Sequence, residues 1–159
     1  MTRQLLRWPA LLVAAWVAGC ATTPVDGPRP QGFDLLNEGA GDVHDVQVRY
    51  GTHVFPPAGA TAVVRAPTVT GQGFHQEATV AIPATAQVHW VSVDGRGHDA
   101  TVPIDTLIAD RALFHGVQFV FVDDHLDVVF AYEREAPKPR GLDYLRTWSS
   151  AAPRLLSDP

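Results

Sequence analysis

The stretch "HDVQVRYG" sets Val46, Val48 and Tyr50 against Asp45, Gln47 and Arg49 in strict alternation. A period of two puts the apolar set on one face of a strand and leaves the other face wet. Similar runs recur. "ATAVVRAP" and "QEATVAIP" follow, the second with Ala78, Val80 and Ile82 on one side, and both close at prolines, which cannot donate to a ladder. The glycines of the intervening "PTVTGQGFHQ" mark a loop.

Next, "AQVHWVSVDGRGHDATVPI" reads as two strands around Asp94-Gly95-Arg96-Gly97. If Val88 and Trp90 share the core with Ala100, Val102 and Ile104, paired residue numbers must add to an even sum. That requires a loop of odd length with a glycine in a left-handed bulge position, and Gly95 and Gly97 both qualify. His89 then lies on the solvated face, opposite Trp90.

"DTLIADRALF" begins with Asp105 as a candidate N-cap and predicts one or two helical turns as a crossover. "GVQFVFVDDHLDVVFAY" predicts a second hairpin turning near Asp124 and His125, with Phe121 opposite Val128, Phe119 opposite Phe130 and Val117 opposite Tyr132. Its other face carries Val120, Val122, Val129 and Ala131, so both sides need cover. In the tail, "LDYLRTWSS" spaces Leu142, Leu145 and Trp148 three apart, which fits a short amphipathic helix that folds back, docks a partner or stays disordered. About seven short strands and no helical repeat predict an all-β fold, an antiparallel immunoglobulin-like β-sandwich with one short helix. A small barrel is the alternative. The Cys-Trp-Cys marker of true immunoglobulin domains is absent.

Ahead of these strands the pattern changes. A basic start (Arg3, Arg7), the apolar run "PALLVAAWVA" and Gly19 precede Cys20, the only cysteine. This is the three-part layout of a secretory leader, and its apolar run is shorter than the about 20 residues a spanning helix needs. The "VAGC" of residues 17–20 resembles the bacterial lipoprotein lipobox. The resemblance implies that Cys20 carries a diacylglycerol, that the leader is cut before it, and that the new amino group is acylated. Two or more acyl chains hold a protein at a membrane stably. Ala21, a neutral residue after the cysteine, implies sorting to the outer membrane. "ATTPVDGPRPQG" then reads as a Pro/Gly-rich linker. The expected organisation is a leader over 1–19, lipidated cysteine and linker over 20–32, a sandwich over 33–133, and a Pro-rich connector with tail over 134–159.

Composition narrows the function classes. The chain has 12 basic and 17 acidic residues, and loss of Arg3 and Arg7 with the leader leaves a net charge of −7. Nucleic-acid recognition needs clustered Lys and Arg, so that class is excluded. One cysteine allows no internal disulfide. Seven histidines (His44, His53, His75, His89, His98, His115, His125) raise the question of a metal, yet none has H-x-H or H-x-x-x-H spacing. If the tips "DGRGHD" and "DDH" shared one end, they would offer four carboxylates and two imidazoles; turn chemistry is the simpler reading of both. There is no G-x-S-x-G, and Ser92 falls mid-strand. The expectation is a non-enzyme with no metal and no cofactor beyond covalent lipid on Cys20. Arg96, His98, Asp124 and His125 at the tips, and Trp148 in the tail, are the candidate partner contacts.

The order lipobox, "VRYG" strand, "VHWVSVDGRGHDATVPI" resembles small proteobacterial lipoproteins of unknown function, some of which accompany type VI secretion effectors as immunity proteins. The resemblance covers the middle of the chain and assigns no residue a role. It implies a periplasm-facing, outer-membrane-anchored sandwich that binds a protein, such as a toxin that attacks the envelope. The alternative is a structural lipoprotein that holds an envelope complex together through Trp148 and the tail.

Overall fold

A computed structural model describes residues 27–57, 59–67, 73–134 and 141–151. Cys20 and the segment 1–19 expected to be a leader lie outside the described residues. Two β-sheets enclose one apolar core.

The strands, in chain order, are β1 (Arg29–Asn37), β2 (Val43–Tyr50), β3 (His53–Phe55), β4 (Ala62–Val64), β5 (Phe74–Val80), β6 (Ala86–Val91), β7 (Gly97–Val102), β8 (Phe114–Val122), β9 (His125–Glu133) and β10 (Leu142–Ser149). The single helical turn α1 (Ile104–Leu107) joins β7 to β8. The first sheet has the order β10-β9-β8-β1-β5. The second runs β3-β2-β6-β7, with β4 pairing the first half of β2 while β3 pairs its second half. Among the described residues no helix is long and apolar enough to cross a membrane.

The all-β sandwich architecture is as the alternation predicts, with ten strands among the described residues rather than about seven. Three strands are additional: β1, β3 and β10. β1 takes in Arg29 to Gly32, which the proline and glycine content assigns to the linker. Pro30 is tolerated there because the parallel partner β8 begins to pair only at Gly32. That β1–β8 pairing is parallel, so the sandwich is mixed rather than purely antiparallel. β10 replaces the expected amphipathic helix. It extends the first sheet as an edge strand beside β9, with a bulge between Arg146 and Trp148. Asp105 lies inside the first turn of α1, and the N-cap position is Pro103, with no side-chain cap.

The alternation of β2 is realised in full. Val46, Val48 and Tyr50 are buried, whereas Gln47 and Arg49 face outward. Tyr50 is the one polar tip on that face; its hydroxyl donates to Gln31 Oε1 at 3.0 Å, and Gln31 Nε2 donates to the Val80 carbonyl at 2.7 Å. Burial pushes the Tyr50 phenol well above its ordinary pKa, so the ring is neutral. The centre of the core is aromatic: Phe33, Phe55, Trp90, Phe119, Phe121 and Phe130 are all at most 2% exposed. Tilted and edge-on contacts link them, such as Phe33–Tyr50 at 5.0 Å and Phe55–Phe119 at 6.0 Å.

The two long hairpins differ in how their registers turn out. In β6–β7, Val88 faces Ala100 and Trp90 faces His98, an even sum as the apolar faces require. Ser92 and Arg96 close a three-residue loop in which Gly95 sits at φ +81° and donates its N–H to the Ser92 carbonyl at 2.9 Å. In β8–β9 the pairs are Phe121–Leu126, Phe119–Val128 and Val117–Phe130. The turn is Asp123-Asp124, so the register lies two residues from the one the aromatic ladder suggests. A shift of two leaves every side chain on its expected face, which is why the pattern cannot detect it.

Candidate functional site

Both hairpin tips lie at one end of the sandwich, where the loop 38–42 between β1 and β2 touches each of them. Ala40 N–H donates to Asp123 Oδ1 at 2.8 Å. A Cβ on Gly39 would fall 2.6 Å from the Asp123 nitrogen, and one on Gly41 would fall 2.5 Å from Val93 Cγ2. Glycine at these two positions is what allows the loop to sit between the tips.

Asn37, fully buried at the end of β1, holds the loop in place. Its Nδ2 donates to the carbonyls of Gly41 and Val64, both at 2.9 Å, and its Oδ1 accepts from Gly39 N–H at 2.9 Å. Both amide ends are used, so one side chain ties β1, β4 and the loop together.

The β6–β7 tip is braced from within by a polar chain. Ser92, 3% exposed, has its Oγ 2.6 Å from Asp94 Oδ1 and 2.8 Å from His98 Nε2. Hydrogen bonds from the Ser92 hydroxyl, then from the Arg96 side chain and backbone N–H, hold the Asp94 carboxyl down at about 2. Asp94 is therefore ionised at neutral pH and takes the hydroxyl proton. A hydroxyl has one proton to give, so His98 Nε2 must donate to Ser92 Oγ. This polarity is the reverse of a serine nucleophile activated by an imidazole. The His98 ring also stacks on Trp90 at 5.0 Å with the planes 14° apart, and Trp90 meets Phe121 of the other hairpin at 5.7 Å.

On the β8–β9 side, Asp123 takes φ +54°, a conformation that aspartate tolerates better than most residues. His125 stands between Asp124 and Asp127, its ring nitrogens 3.7 Å and 3.8 Å from their carboxylate oxygens. Asp127 is 4% exposed and is held by Arg146, which also reaches Glu38 at 2.9 Å. Those carboxylates raise the Arg146 pKa further, the Glu38 hydrogen bond most. Arg146 thereby ties β10, β9 and the end of β1 together across the outer face, where Val120, Val129 and Ala131 are buried.

Four of the five candidate contact residues therefore come to one end. Arg96 and Asp124 are exposed there, His125 is partly covered, and His98 turns inward as part of the brace. Trp148 is corrected: it is 8% exposed, belongs to the core and pairs with Val128, so its ring is not offered to a partner. Sequence reasoning missed Val93, Glu38 and Arg146 at this end. Val93 is 64% exposed at the start of its three-residue loop, an apolar residue where turn chemistry favours polar ones.

The other histidines are dispersed: His75 meets Asp34 at 2.7 Å and Glu77 at 3.9 Å, His89 meets Asp99 at 2.9 Å, and His115 meets Glu133 at 3.7 Å. Among the described residues no group of three or more His, Cys, Asp or Glu is placed to hold a metal ion. No family model, no curated protein and no solved structure matches this chain.

Proposed function

We propose that this protein is a lipid-anchored module at the periplasmic face of the outer membrane that binds a protein partner through the loops at one end of its sandwich. The observation that carries the reading is the convergence there of two hairpin tips and the loop 38–42. The tips are fixed from below by Asn37, Ser92 and Arg146, while Val93, Arg96 and Asp124 stay exposed. A rigid base under exposed loops is how binding proteins on β-sandwiches present contacts at low entropic cost. Arg96 is of the residue type that interface centres favour. The anchor rests on the "VAGC" motif at residues 17–20, and the narrower role of sequestering an envelope-targeting toxin rests on the sequence resemblance.

Two measurements test the reading. Directing the product of the neighbouring gene to the periplasm, with and without this protein, should give toxicity that coexpression relieves. Relief should be lost in a Val93→Asp, Arg96→Glu double variant that still folds. Relief that survives in that variant excludes the tip end as the contact surface. Separately, Cys20→Ser should move the protein from the membrane to the soluble fraction and lower its mass by that of the acyl groups; unchanged partitioning and mass remove the anchor.

A further inference from the structure

The outer face of the second sheet carries a polar depression of about 470 Å³, its His89–Asp99 row two strand pairs from the β6–β7 loop. Register builds it from two rows. Gln47 lies beside His89 and His89 beside Asp99; two residues along, Arg49 lies beside Gln87 and Gln87 beside Thr101. Its volume is within the range of small-molecule sites.

The charges in it are arranged unequally. Arg96, Arg111, Arg134 and Arg146 each hold a carboxylate of this chain. Among the described residues the Arg49 side chain makes no ion pair and no hydrogen bond, although acidic residues outnumber basic ones. At the opposite corner Asp99 is 84% exposed and spends one oxygen on His89 Nδ1, which leaves the other free. β2 and β7 flank β6 and the two rows lie two residues apart, so these two corners stand roughly 12 Å apart on the diagonal. On β6 between them lie His89 and Gln87, and Gln47 lines the remaining corner beside Arg49; each glutamine amide can donate and accept.

We infer that this face binds a short peptide as a zwitterion, with its terminal carboxylate on Arg49, its terminal ammonium on Asp99 and its peptide groups on the two glutamines. An extended chain covers about 3.3–3.6 Å per residue, so the spacing fits about three residues. A guanidinium matches a carboxylate through two parallel hydrogen bonds, which a neutral amide with its single acceptor oxygen cannot reproduce. The site is independent of the tip-end surface and does not rest on it.

Calorimetric titration of the full chain in detergent with trialanine tests this. Saturable binding is expected. Amidating the carboxylate should weaken it about tenfold in the native protein and have no further effect in Arg49→Gln, because the partner of that carboxylate is already gone. Acetylating the amine, which also mimics the carboxy terminus of a whole protein, should weaken it by a similar factor in the native protein and not in Asp99→Asn. Both positions are exposed, so the variants should fold, as circular dichroism would verify. The inference is overturned by no saturable heat up to about 20 mM peptide, by an amidation penalty that persists in Arg49→Gln, by equal binding of the acetylated peptide, or by equal binding of inorganic phosphate.

Discussion

The hairpins β6–β7 and β8–β9 are built alike and behave differently as sequences. The first has one buried face and one wet face, and its odd-length glycine turn settles on the three-residue form with Gly95 at φ +81°. The second is apolar on both faces, turns on two aspartates, and pairs two residues away from the register its aromatics suggest. The difference shows what specifies a hairpin. Face alternation selects the parity of the pairing, and only a turn with a demanding backbone selects among registers of equal parity.

Substitution sharpens this contrast. Phe119→Ala, at the fully buried centre of β8, should cost about 4 kcal/mol in urea unfolding through lost burial and the cavity left behind. Gln87→Ala on the wet face of β6 should stay within about 0.5 kcal/mol. Equal costs would show that the two hairpins are covered alike. Next in size, Asn37→Ala removes the side chain that fastens both tips to the sheet and strands the buried Val64 carbonyl. The expected loss is about 2–3 kcal/mol, with faster amide exchange at both tips at once. Exchange that rises at only one tip would mean the loop 38–42 does not couple them.

Gly95→Ala should cost about 1 kcal/mol, since an alanine at φ +81° is strained. Its effect should be confined to the β6–β7 tip, and a matching loss of protection at Asp123 would contradict that. The smallest effect is one of pH. The folded pKa of Asp94, about 2, lies below its ordinary 3.8. Its contribution is therefore complete above about pH 4 and is lost as pH falls towards 2. Amide exchange at Gly95 and Arg96 should rise over that window and be insensitive to it in Asp94→Asn, whereas the Asp123 turn should not share the transition.

Much of the tip-end site was legible in advance. Arg96, His98, Asp124 and His125 sit beside Gly and Asp pairs that only turns require, so their place at the tips follows from local chemistry. Their meeting at one end did not follow, because the loop 38–42 that joins them acts through contacts such as Ala40 to Asp123, 83 residues apart. Trp148 was misplaced for a different reason. Leu142, Leu145 and Trp148 fit a helical spacing, but an edge strand has exposed positions on both faces, and Leu145 and Tyr144 are more than half exposed. On an edge the two-residue period is not enforced, so the spacing carries no information about the element. The depression around Arg49 was legible as a wet face and not as a site, since the sequence does not show which arginines find carboxylates.

The sequence alone determined the strand-rich class, the inward face of each alternating strand and an odd-length loop around Gly95 and Gly97, because each depends on neighbours within a few residues. The tertiary structure decided the parallel pairing of β1 with β8, the two-residue slip in β8–β9, the recruitment of β10 as an edge and the gathering of the tips. Side-chain direction repeats every two residues, so an even slip or a change of partner strand leaves the local pattern untouched. The choice among such arrangements rests on packing between distant segments.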